Sequence, residues 1–82
     1  MLFRSQEHYA EAVLLYRKAL AMNPNVPGLR LNLGLALFKS GNMKDALPEF
    51  QECLKAVPAG SPEAQRLNIL IGMSHYGLAQ YA

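Results

Sequence analysis

Displaced by 34 residues, the sequence falls on itself like on like. Tyr9 meets Met43, Glu11 meets Asp45, Ala12 meets Ala46, Tyr16 meets Phe50, Ala19 meets Cys53, Leu20 meets Leu54 and Pro24 meets Pro58. A displacement of 38 sets Leu33-Gly34-Leu35-Ala36-Leu37-Phe38 on Ile71-Gly72-Met73-Ser74-His75-Tyr76. The extra residues of the second register fall in the loop-like stretch Val57–Ala64, "VPAGSPEA". Periods in this range mark stacked repeats, in which no single unit buries its apolar face and neighbours must cover one another.

Within that frame four helical segments are predicted. The first spans roughly Glu7 to Met22, with Tyr9, Ala12, Val13, Tyr16, Ala19 and Leu20 at helical spacing, and stops at Asn23-Pro24-Asn25. The second spans roughly Pro27 to Lys39, with proline in its first turn. The third spans roughly Met43 to Ala56, with Asn42 as N-cap and Pro48 as a slight kink on the solvent side. The last starts at Ser61-Pro62-Glu63, a cap, a proline and an acid in order. No stretch alternates with period two, so no strand is predicted.

The spacing Arg30-x2-Leu33-Gly34-x2-Leu37, then Ala46-x3-Phe50, then Pro58, resembles the tetratricopeptide repeat pattern. The preceding unit supplies Ala12-x3-Tyr16 and Pro24, and the following one Ile71-Gly72-x2-His75. Arg30 departs from the family's tryptophan, Leu37 and His75 from its tyrosine, and Cys53 from an alanine. The resemblance covers nearly the whole chain and implies an all-α, right-handed solenoid of antiparallel helix pairs, each an A helix followed by a B helix. The four helices then run in B-A-B-A order, as one repeat domain: residues 1–26 the end of one repeat, 27–60 a complete repeat and 61–82 the start of a third. Met1–Arg4 is read as the stub of a preceding A helix. Neither end carries a polar cap, so the chain is read as an excerpt of a longer array. Gly34, Ala46 and Gly72 are expected where backbones approach closely, with Phe50 and Tyr16 filling the gaps between pairs. The same arrangement accounts for the second helix, which is apolar almost all round: it packs on neighbours, and its remaining face lines the concave surface.

That concave face is expected to carry Leu31, Asn32, Leu35, Phe38 and Lys39 from the second helix. The fourth helix adds Arg66, Ile69, Leu70, Met73 and Tyr76. Such a face suits an extended peptide or a partner helix, with apolar anchors and a few polar fixers. For Leu31 and Ile69, packing against neighbouring repeats is an equal alternative; Phe38, Met73 and Tyr76 are assigned to the groove. A chaperone-binding subclass of the resembled family holds a C-terminal carboxylate with Lys, Asn and Arg side chains. Asn32 and Arg66 match two of those positions, but Leu70 stands at a third and the first A helix is missing, so that clamp is mostly absent.

Composition narrows the functional classes. Hydrophobic residues make up 51% and charged residues 17%, a low charge content that suggests surfaces meant to be covered. The formal charge of +2 argues against nucleic acid or an anionic membrane as partner. No apolar run is long enough to span a bilayer, and the N-terminal stretch does not read as a signal peptide. Cys53 is expected as a buried structural thiol, His75 in a packing slot, His8 at a turn, and Arg30 laying its stem over apolar surface. No Cys/His spacing predicts a metal site, no set of groups predicts catalysis, and no cofactor is expected. Two functions stay open: an interaction scaffold that binds an unidentified protein or peptide in its groove, and a structural module that spaces domains or self-assembles. A homo-oligomer by head-to-tail or swapped helix packing is expected, because Tyr81-Ala82 has the repeat phase of Tyr9-Ala10.

Overall fold

The computed structural model describes the backbone of residues 2–26 and 28–81, and the side chains of 8–26 and 28–79. Four α-helices account for most of it: α1 (Leu2–Met22), α2 (Leu29–Lys39), α3 (Met43–Lys55) and α4 (Pro62–Tyr81). There is no strand among the described residues. Each helix packs on the one before it and the one after it. The pairs α1/α2 and α3/α4 run antiparallel, since the end of each second helix meets the start of its predecessor. Lys39 reaches Tyr9 in the first case, and Gly77 abuts Met43 in the second.

The turns follow local chemistry. After α2 the chain reverses through Gly41 (φ 89°), with the Asn42 N–H donating to the Leu37 carbonyl at 2.8 Å and the Gly41 N–H to the Phe38 carbonyl at 3.1 Å. This pair of bonds satisfies two carbonyls that the helix end leaves free, and the left-handed backbone it requires suits glycine. The start of α4 is capped by Ser61, whose Oγ accepts from the Ala64 N–H at 3.1 Å.

Several boundaries differ from the sequence-based reading. The first helix begins at Leu2, so Leu2–Arg4 form its opening turn and not the stub of a separate helix, and His8 lies within it. Met1 is outside the described residues. The second helix begins at Leu29 after Gly28 (φ 80°); Pro27 is also outside the described residues. Asn42 occupies the N-cap position of α3 but makes no side-chain cap bond. Its Nδ2 donates to Asp45 Oδ2 at 2.9 Å. Pro48 is exposed, and α3 continues through it.

The core lies where α2 is sandwiched between α1 and α3 and where α4 covers α3. Val13, Leu33, Ala36, Leu37, Ala46, Phe50, Ala64 and Leu67 are buried. Ala46 and Phe50 are fully inaccessible. A Cβ on Gly34 would stand 2.8 Å from Phe50 Cε1, so α2 and α3 approach as closely as they do because position 34 has no side chain. The repeat-equivalent Gly72 is different: a Cβ there would meet nothing within 4 Å, and the residue is exposed. The expected close approach at Gly72 is absent because no helix among the described residues lies against that side of α4. Ser74 takes the place that Ala36 holds in α2. It is fully buried, and its Oγ donates to the Leu70 carbonyl at 2.8 Å, which removes the cost of burying the hydroxyl.

Candidate functional site

The helices α2 and α4 stand on either side of α3, and the space between them holds two apolar cavities. One, of about 740 Å³, is lined by Phe38 from α2, Met43 from the start of α3, and Ile69, Gly72, Met73, Tyr76 and Gly77 from α4. The other, of about 620 Å³, lies nearer the start of α2 and α4. Leu31, Leu35, Leu67 and Leu70 form its floor, with Cys53, Ala56 and Val57 from the end of α3 and Val26 from the first loop. Glu52, Glu63, Arg30 and Arg66 also contribute to its wall.

Eight of the ten residues assigned to the groove divide between these cavities. Phe38, Ile69, Met73 and Tyr76 line the larger one. Leu31, Leu35, Arg66 and Leu70 line the smaller. Asn32 and Lys39 line neither. Asn32 is exposed, and Lys39 holds its Nζ 5.6 Å from the centre of the Tyr9 ring, a cation–π contact back to α1. The repeat phase carried that signal unread: Lys39 corresponds to Gly77 and Tyr9 to Met43, so both pairs join the end of one A helix to the start of the preceding B helix.

The apolar residues of α4 are unusually open. Ile69 is 63% exposed, Met73 50% and Tyr76 68%. Their spacing puts all three on one stripe of the helix, facing away from the buried stripe of Ala64, Leu67 and Ser74. Phe38 is half-buried, and its ring stands 6.2 Å from that of Phe50, tilted by 59°. It therefore joins the core to the larger cavity.

Electrostatics is sparse around the furrow. Arg30 Nη1 donates to Glu49 Oε1 at 2.9 Å, tying α2 to α3 across the partly buried joint beside Gly34. The expected role for Arg30, covering apolar surface with its stem, is thus joined by an ion pair that the sequence pattern did not suggest. Cys53 is half-buried and packed against the core. Burial pushes its thiol above the ordinary value of 9.0, with Arg30 opposing and Glu49 and Glu52 adding to the rise. Such a thiol stays protonated and inert at neutral pH. His75 is exposed, not in a packing slot, and His8 is exposed as well. Among the described residues no cluster of three or more His, Cys, Asp or Glu side chains is placed to hold a metal, and no helix is long and apolar enough to cross a membrane.

Comparison with known proteins agrees with this geometry. The sequence profile of the tetratricopeptide repeat family matches residues 1–61. The chain belongs to the tetratricopeptide repeat family. Two similar proteins carry the repeat in their names. A TPR repeat-containing thioredoxin, TTL4, of Arabidopsis thaliana is 37% identical over 60 residues, which are 73% of this chain and 9% of that protein. A TPR repeat-containing protein of Synechococcus elongatus is 40% identical over 52 residues, 62% of this chain and 13% of that protein. The chain thus spans only a small part of the length of the relatives it matches. No solved structure gives a significant match. Tetratricopeptide repeats mediate protein–protein interaction and are generally non-catalytic scaffolds; the thioredoxin in one relative's name describes that protein as a whole.

Proposed function

We propose that this tetratricopeptide chain holds a segment of a partner protein in the furrow between α2 and α4, as an extended peptide or as one face of a helix. The observation that carries this reading is the stripe of Ile69, Met73 and Tyr76, three large apolar side chains at least half exposed on the wall of an apolar cavity. A contiguous apolar patch of this kind on a small domain marks an interaction site. Methionine and aromatic walls adapt to the shape of an inserted side chain, so the larger cavity suits an aliphatic or aromatic anchor of the partner. The smaller cavity takes a second aliphatic anchor, and Arg66 and Glu63 offer polar contacts beside it. The segment is held by side-chain anchors; the position where the clamp of the chaperone-binding subclass would set a second basic residue is Leu70, half-buried against the core. The chain acts by binding.

Selection of a random peptide display library on the 82-residue chain tests the reading. Recovered sequences should share apolar anchors, and Met73→Ser or Tyr76→Ser should abolish their binding while leaving the helical circular dichroism and the melting midpoint near those of the parent. Peptides that bind both variants as well as the parent would move the site elsewhere.

A further inference from the structure

Helices α1 and α4 carry two uncovered halves of an interface that the chain builds once internally, the α4 half bordering the furrow at Gly72 and Tyr76. That internal interface is α2 on α3. There Gly34 receives the Phe50 ring, Arg30 pairs with Glu49, and Phe38 stands 6.2 Å from Phe50. In the repeat register α4 corresponds to α2, and α1 to α3. The equivalent of the α2 half therefore lies on α4 as Asn68, Gly72 and Tyr76. The equivalent of the α3 half lies on α1 as Ala12, Leu15 and Tyr16.

Both halves are open. A Cβ on Gly72 meets nothing within 4 Å, where the same atom on Gly34 would strike Phe50. Tyr76 is 68% exposed, where Phe38 is half-buried. On α1, Ala12 and Tyr16 are only half-buried where Ala46 and Phe50 are fully buried, and Leu15 is 66% exposed in the position of Glu49. We infer that α1 of a second copy of this chain docks on α4, setting Tyr16 over Gly72 and beside Tyr76 as Phe50 sits over Gly34 and beside Phe38. The Arg30–Glu49 ion pair has Asn68 and Leu15 as its counterparts, so the joint buries no charge at that point. The contact joins unlike surfaces. Each added copy presents the same free pair again, and assembly is open-ended and head to tail. The α4 half of the contact shares Gly72 and Tyr76 with the wall of the larger cavity, whereas Ile69 and Met73 belong to the furrow alone, so substitutions at Gly72 and at Met73 tell the two apart.

Sedimentation velocity of the 82-residue chain over a concentration series is the test. The parent should grow past dimer as concentration rises. Gly72→Gln fills the space reserved for Tyr16, and Leu15→Lys puts a charge on the α1 half. Each should be monomeric with unchanged helicity, since both positions are exposed. Mixed in equal amounts the two variants should form a dimer and stop there, because each retains the half that the other has lost. His75→Leu, which restores the residue type of Leu37, should shift association to lower concentration. A parent that stays monomeric throughout overturns the inference. So does continued self-association of Gly72→Gln, a mixture that fails to pair, or association lost through Met73→Ser and not through Gly72→Gln.

Discussion

Alanine placed at Gly34 and at Gly72 should move stability in opposite directions, although the two glycines share one repeat position. Both lie within helices, so each replacement removes the same conformational penalty, about 0.5–1 kcal/mol in favour of the variant. At Gly72 nothing opposes that gain, because the new methyl meets no atom within 4 Å. At Gly34 the methyl would stand 2.8 Å from Phe50 Cε1, 3.0 Å from Cδ1 and 3.3 Å from Glu49 Cβ. The Phe50 ring is fully buried and cannot swing aside, so α2 and α3 must part, at a cost of about 1–3 kcal/mol for overpacking. Because the conformational gain is common to both, the difference between the variants isolates the packing cost. With a urea dependence of about 1 kcal/mol per molar for a domain this small, the two unfolding midpoints should differ by about 1 M or more. Urea titrations followed by circular dichroism at low protein concentration, where association is suppressed, measure the gap. Equal upward shifts would refute the close approach of α2 and α3 at Gly34.

Packing and capping set three further outcomes. Ala46→Leu should destabilise the chain by about 1–3 kcal/mol, since position 46 is fully buried at the α2–α3 joint; thermal and urea unfolding report it. Ser61→Ala removes the cap of α4 and should cost about 1 kcal/mol, with faster amide exchange at Ala64 as the local signature. Cys53 should react with a thiol reagent more slowly than a free cysteine, accelerating as pH rises past 9.0. Its raised thiol favours the protonated folded state, so that contribution to stability is present below the ordinary thiol value and lost as pH climbs through the raised one.

Much of the fold is legible in the sequence because the repeat constrains several levels at once. The shift that aligns Ala12 with Ala46 and Tyr16 with Phe50 also locates the turns and names Gly34 as a close-approach site. What it misses depends on the surroundings of each helix, which no single helix encodes. Gly72 has the motif of Gly34 but no partner ring, and His75 has the slot of Leu37 but no cover. The α1 helix starts earlier than its apolar pattern implies, because nothing in Leu2–Gln6 marks a break from the helix that continues at Glu7. The Arg30–Glu49 pair joins two charged side chains on different helices, so the apolar pattern is silent about it. Of the groove residues, those with large apolar side chains fall on the two cavities because their phase is set by the buried stripe opposite. Asn32 and Lys39 do not, since a long or polar side chain at the edge of the same stripe can turn to solvent or to a neighbouring helix.

The most direct measurement of partner binding in the α2–α4 furrow uses methyl NMR on the chain labelled at isoleucine and methionine, titrated with a library-selected peptide. The chain has two isoleucines, of which Ile69 lines the larger cavity and Ile71 does not. Met43 and Met73 also line it, whereas Met22 sits exposed at the end of α1. A peptide seated in the furrow should shift the Ile69, Met43 and Met73 methyl signals on binding while Ile71 and Met22 stay in place. Shifts at Met22 or Ile71 with Ile69 and Met73 unmoved would contradict binding in the furrow.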